Sequence, residues 1–459
     1  MSTSSPAAPT RPAAPPARRH ASLTVAMLGF AVVTLDTQVV NVALPAVNTD
    51  LGGSLSGLQW VVTGYTLMFS ALLLFAGTLS DRIGARRAYG WGMVIFVVAS
   101  VACAAAPNLG WLVGARVVQG VGAALVTPTS LALIRAAYRE GAALARAVAF
   151  WAMGGSIAAA AGPVLGGALT QLDWRLIFLL NLPVGAVAVL ALRRAADSPR
   201  TAVPFDWTGQ VAAVLALGAL TFAVIEGGDL GYGSAPIVTA FTVAFAATVV
   251  FLTAQVRGRH PMVPLDLFKS RTVSVALAVG FLAMAGFYGV VFLQSLYFQQ
   301  VRGTSPLITG LLFLPMTALV AVLNPLAART ATRFGPAVPI VGGQLLMAAG
   351  LFGLAALPTA APTLLVAAVM VPVGVGGSFT VPPITTLILG SVPQERAGTA
   401  SGVFNTFRQV GGSLGVAVYG AVVASRATFV AGLRLSVIAT AVLVLVTAAT
   451  SLTLRPARS

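Results

Sequence analysis

Of the eleven acidic residues in the chain, only Asp36 lies deep inside a long apolar run. A charged side chain at the centre of a membrane helix costs about 2.5–3.5 kcal/mol on insertion scales and marks a pathway for ions or substrate. Burial favours the protonated form of a carboxyl group, and a neighbouring cation favours the ionised one. A carboxylate held between those influences can accept a proton from one side and release it to the other. Arg116 lies within a second apolar run and cannot shed its charge, so it needs a partner. Gln119 and Gly120 follow it by three and four residues and share its helical face. Gln119 can extend a hydrogen-bond network around Arg116, whose partner is a carboxylate, water or the carbonyls of a neighbouring helix.

Other chemistries lack their parts. Cys103 is the single cysteine and His20 and His260 are the only histidines, both in charged segments, so there is no metal-ligating cluster. Paired carboxylates and a nucleophile–base constellation are missing from the apolar runs, which argues against an enzyme. No glycine-rich phosphate loop is present to bind nucleotide. The expected cofactor set is therefore empty, with the proton as coupling ion. Candidate substrate-contacting groups are Asn41, Tyr65, Gln294, Asn324, Asn405 and Arg408, with Asn405 and Arg408 on one helical face.

The elements carrying these residues must be membrane helices. The chain of 459 residues is 58% hydrophobic and 8% charged, against about 25% charged in a soluble protein. Apolar runs of about 20 residues, enough to cross hydrocarbon, begin near Leu23, Leu58, Ala88, Leu109, Leu144, Leu176, Trp207, Pro236, Val273, Pro306, Val338, Thr363, Thr399 and Val430. The spacing predicts fourteen transmembrane helices. The formal charge of +16 concentrates in alternate connections when both termini are placed inside, as the positive-inside tendency requires. It is a topology signal rather than a nucleic-acid surface. Residues 1–20, rich in Pro, Ala and Ser, read as a disordered cytoplasmic tail.

The two halves echo each other. Residues 77–84, GTLSDRIG, match residues 328–335, ARTATRFG. Gly120, Gly122 and Pro128 recur as Gly374, Gly376 and Pro382, and residues 154–157 recur as 411–414. Three matches in order imply two six-helix bundles, residues 21–196 and 265–459, with two inserted helices in residues 203–260. A substrate site between such halves near the midplane, exposed alternately to each side, is the expected consequence. Gly154, Ala158, Gly162 and Gly166 form a four-residue stripe for close packing, with Pro163 and Gly167 beside it.

Further motifs carry a resemblance. Residues 35–45 read LDTQVVNVALP, residues 77–87 GTLSDRIGARR, residues 116–122 RVVQGVG, and residues 162–167 GPVLGG. Trp174-Arg175, Asn181-Leu182-Pro183 and Asn405-Thr-Phe-Arg408-Gln409 accompany them. Together they resemble the major facilitator superfamily, in particular its 14-helix drug:proton antiporter branch. The resemblance implies an all-α integral membrane protein of the cytoplasmic membrane, both termini cytoplasmic. It implies export of drugs or small amphiphilic molecules in exchange for protons, working as a monomer, with a single-metabolite exporter as the alternative. It also implies that Asp36 and Arg116 act together in proton coupling. Gly77, Asp81, Arg82, Gly84, Arg86 and Arg87 would form a cytoplasmic latch on the outward-facing state. The glycine stripe would seal the bundle interface, and antiport rather than symport follows from the resemblance.

Overall fold

The computed structural model of the chain describes residues 15–138, 141–196, 198–201, 204–393 and 396–454. Fifteen α-helices lie among them: α1 Pro16–Leu51, α2 Leu55–Ile83, α3 Ala85–Ala104, α4 Leu109–Ala137, α5 Gly141–Leu172, α6 Leu176–Leu179, α7 Asn181–Leu192, α8 Trp207–Leu230, α9 Ala235–Arg257, α10 Arg271–Leu296, α11 Pro306–Phe334, α12 Ala337–Ala356, α13 Thr363–Gly390, α14 Ala397–Ala424 and α15 Phe429–Ser451. Their starts follow local chemistry. Ser54, Asn108, Asp206, Ser270, Ser305 and Thr428 each accept a hydrogen bond from a backbone N–H three residues on, satisfying a donor the helix itself cannot. Gly84 joins α2 directly to α3 at φ +93°, a conformation side chains with a Cβ avoid.

One expectation needs correction. Helix α1 begins at Pro16, so residues 16–20 are helical and not disordered; residues 1–14 of that tail lie outside the described residues. Among the described residues twelve helices are long and apolar enough by composition to cross a membrane. The sixth expected run is the shorter apolar helix Leu176–Leu192, in which Leu180, between α6 and α7, keeps helical dihedrals of φ −56° and ψ −30°. Helix α14 has span length, but Asn405, Arg408, Gln409 and its many glycines dilute its hydropathy.

The helices pack as two bundles with one plan. In α1–α7, α4 packs on α1, α2 and α3, α1 on α5 and α7, and α3 on α7. In α10–α15 the equivalent contacts recur: α13 on α10, α11 and α12, α10 on α14 and α15, and α12 on α15. The seam repeats the exchange, with α5 against α11 and α2 against α14. Helices α8 and α9 form a hairpin that leans on α2 and α14. It is fastened to α2 by Trp60 Nε1 to Glu226 Oε1 (2.7 Å), Ser56 Oγ to Asp229 Oδ2 (2.7 Å) and Gln210 Nε2 to the Ala71 carbonyl (2.9 Å).

Small residues set these distances. A Cβ on Gly166 would meet the Val39 backbone of α1, and one on Gly162 the Gln38 side chain. Gly167 lies against the Pro306–Leu307 backbone of α11, and Gly310 against Pro163 and Val164. One face of α5 thus closes on its own bundle and the adjoining face on the other. Gly166→Leu should therefore force α5 away from α1 and destabilise the fold by about 1–3 kcal/mol, as overpacking does. Gly77→Ala, where nothing lies within 4 Å of the added carbon, should be neutral. Thermal unfolding of the two variants in detergent checks the contrast.

Candidate functional site

Asp36 and Arg116 meet inside the first bundle. Arg116 Nη1 donates to Asp36 Oδ2 at 2.5 Å, and the side chains are 1% and 0% exposed. The pair survives burial because its remaining valences are filled. Arg116 Nη1 also donates to Gln119 Oε1 (2.7 Å) and Nε to the Val61 carbonyl (3.0 Å). Asp36 Oδ1 accepts from Gln119 Nε2 (2.9 Å) and Asn181 Nδ2 (2.8 Å). Those two amides share Ser100 Oγ at 2.8 and 3.2 Å, and the Cys103 thiol donates to Gln119 Oε1 at 3.6 Å. The guanidinium carbon lies 4.2 Å from the Tyr65 ring centroid and 5.8 Å from that of Phe178, a cation–π arrangement. Desolvating two charges is repaid only with good geometry and further hydrogen bonds; both Asp36 oxygens and the Arg116 Nε and Nη1 groups are hydrogen-bonded, while Asn181 Oδ1 is buried without a partner.

The local sequence explains the convergence. Arg116 and Gln119 are three residues apart on α4, so both reach Asp36 on α1. A Cβ at Gly120 would meet the Tyr65 carbonyl, and at Gly122 the backbone of Gly92 and Phe96; the glycines let α2 and α3 close around the charge. Six helices contribute, all of the first bundle except α5. Asn181, Ser100 and Cys103 were not among the expected site residues. Asn181 had a signal in the Asn-Leu-Pro triplet after Trp174-Arg175; Ser100 had none.

The other expected residues divide. Tyr65 is 0% exposed and belongs to the Asp36 cluster, its hydroxyl donating to the Val33 carbonyl at 3.3 Å, so it does not face an open substrate path. Asn41 is buried on α1, donating to the Thr37 carbonyl (3.0 Å). Gln294 is buried beside a cavity of about 20 Å³ with Tyr297 and Arg434, room for about one water and too small for a drug. Asn324 is half-buried on α11. Asn405 and Arg408 lie together on α14, Arg408 Nη1 donating to Asn405 Oδ1 at 3.2 Å.

The bundles are fastened at one end of the seam. Gln59 Nε2 of α2 donates to the Val416 and Ala417 carbonyls of α14 (3.1 and 2.7 Å). Ser295 Oγ of α10 donates to the Asn41 carbonyl (2.6 Å), and Gln299 Nε2 to that of Val42 (2.9 Å). At the opposite end, in residues 77–87, the Asp81 carbonyl accepts from Thr201 N (2.8 Å), Ala85 N donates to Ser198 Oγ (2.7 Å), Arg86 donates to the Arg193 carbonyl (3.0 Å) and Arg82 stands over the Phe205 ring. Arg87 is exposed. Among the described residues the Asp81 carboxylate makes no hydrogen bond or ion pair.

Comparison with known proteins places this arrangement in a family. The sequence profile of the Major Facilitator Superfamily matches residues 26–416, and the chain belongs to that family. It is 38% identical over 419 residues to the methylenomycin A resistance protein of Bacillus subtilis, covering 89% of each chain. It is also 38% identical over 404 residues to the multidrug resistance protein Stp of Mycobacterium tuberculosis, covering 87% of this chain and 74% of that one. In fold it is similar to a crystal structure of the peptide transporter POT in complex with sulfate, with a TM-score of 0.70, 15% identity and 93% of each chain covered.

Removing one partner of the buried pair strands the other. Arg116→Met should destabilise the protein by about 3–5 kcal/mol, and adding Asp36→Leu to it should recover part of that loss. A double-mutant cycle on unfolding midpoints measures the coupling, and additive effects would contradict the pairing.

Proposed function

We propose that the protein is a secondary active transporter that exports small amphiphilic molecules, drugs among them, across the cytoplasmic membrane in exchange for protons. The observation that carries this reading is the fully buried, hydrogen-bonded Asp36–Arg116 pair at the centre of one of two equivalent bundles. The names of the relatives, resistance and export proteins at 34–38% identity over most of the chain, support the same reading. On this view α6–α7 and α14 also cross the membrane, giving fourteen passages with both termini cytoplasmic, no cofactor and a monomeric unit.

Proton exchange and conformational change have a common lever. A proton on Asp36 cancels the charge that holds Arg116 and displaces one of three accepted hydrogen bonds. Helix α1 carries Asp36 and, five and six residues on, the Asn41 and Val42 carbonyls that fasten the seam. Helix α2 carries the Val61 carbonyl that accepts from Arg116 and, two residues earlier, Gln59 on the opposite bundle. Rearranging the pair therefore acts on both helices that close one end. With the termini inside, that end is extracellular. One proton entering for a neutral solute leaving draws about 2.3 kcal/mol per 100 mV, enough for roughly a fiftyfold gradient.

A second reading on the same fold is an exporter of one natural product, favoured by relatives named for single antibiotics, such as the tetracenomycin C resistance and export protein of Streptomyces glaucescens. Inside-out vesicles given a proton gradient and a panel of dyes and antibiotics test both. Wild type should accumulate several compounds, or one on the second reading, and Asp36→Asn should lose at least about tenfold in gradient-driven uptake. Arg116→Lys should shift the pH profile of uptake. Full gradient-driven uptake by Asp36→Asn would refute the assignment.

A further inference from the structure

The second bundle holds a cation without a counter-charge. Arg408 sits near the middle of α14 and turns toward α10, where a Cβ on Gly280 would press against its Cγ. Its contacts are poor for a guanidinium: Nη1 reaches Asn405 Oδ1 at 3.2 Å, Nη2 reaches the Met284 thioether at 3.8 Å, and Nε is buried without an acceptor. The Phe404 ring centroid lies 5.7 Å from its central carbon. Tyr288 of α10 stands opposite Gly412, one turn further along α14. Arg408 nonetheless keeps part of its surface accessible, and Asn405 is exposed.

Every nearby carboxylate is absent or engaged. Among the described residues, helices α10–α15 carry no Asp or Glu. On α1, Asp36 is held by Arg116, Gln119 and Asn181. Asp81 stands at the far end of α2, while Glu226 and Asp229 at the end of α8 are taken by Trp60 and Ser56. Arg116 pairs with a carboxylate and a backbone carbonyl, and among the described residues Arg408 has neither. An intramembrane cation lacking a protein partner is paired by what enters the site, and the planar guanidinium presents parallel donors suited to a two-oxygen anion.

We propose that Arg408, flanked by Asn405 and Tyr288, is the anion-binding subsite for the exported solute. The ligand class is an apolar body, seated against the partly exposed Met284, bearing one carboxylate, sulfonate or ionised enol. The proposal rests on the exporter reading above and narrows its substrates.

The test is binding to protein in phosphatidylcholine nanodiscs without any proton gradient. The probes are 1-anilinonaphthalene-8-sulfonate and N-phenyl-1-naphthylamine, the same aryl body without the sulfonate, each corrected against empty nanodiscs. Arg408→Met should lose at least tenfold in affinity for the sulfonate and change less than twofold for the amine; Arg408→Lys should fall between. Arg408→Gln serves as the neutral variant should Arg408→Met fail to fold. Unchanged sulfonate affinity in the neutral variant, or equal losses for both probes in a folded one, would overturn the proposal. Nanodiscs rich in phosphatidylglycerol should leave the wild-type affinity within twofold; its loss there would assign the site to a lipid headgroup and overturn the solute. Because no gradient is applied, failure here leaves proton exchange through Asp36 intact, and failure of Asp36→Asn to impair transport leaves this subsite intact.

Discussion

Burying a carboxylate and a guanidinium together in hydrocarbon imposes conditions that the rest of the first bundle meets. The charges must touch, each spare donor and acceptor must find a partner, and neighbouring backbones must come close enough to exclude lipid. Arg116 and Gln119 supply the first two conditions from one face of α4, and Asn181 and Ser100 complete them from α7 and α3. Gly120 and Gly122 meet the third by admitting α2 and α3 at backbone contact. The arginine, the amide and the glycines of residues 116–122 are one device: polar groups to hold the charge and absent side chains to seal it.

The second bundle repeats the packing and abandons the charge. Its buried side-chain contacts are neutral, as between Thr447 and Gln344 at 2.7 Å and Tyr419 and Thr440 at 2.9 Å. Helices alike in contact pattern thus differ in chemistry: one half holds a buried carboxylate–guanidinium pair, and the other holds Arg408 without a carboxylate among the described residues. A two-fold scaffold allows this because packing depends on small residues and apolar volume, while chemistry depends on a few side chains that can diverge without disturbing either.

The seam joins the two roles. The carbonyls that accept from Ser295 and Gln299 belong to the same rigid helix as Asp36, and Gln59 belongs to the helix that receives the Arg116 Nε–H. The α8–α9 hairpin is tied to the same helix α2 by Trp60, Ser56 and Gln210 and also packs on α14.

Much of this was legible in the residue order. Apolar run length and the glycine spacing depend on local composition, so the all-helical fold and the presence of two costly charges, Asp36 and Arg116, within apolar runs could be read directly. The shorter length of the sixth helix, Leu176–Leu192, was not. Nor were Asn181 and Ser100 as partners of Asp36, the burial of Tyr65 under a guanidinium, or the isolation of Gln294 beside a one-water cavity. Those depend on which helix faces cross at the same depth. Sequence alone determined which residues are costly in a membrane; only the tertiary structure decided which of those charges meet a carboxylate, as Arg116 does, and which do not, as at Arg408.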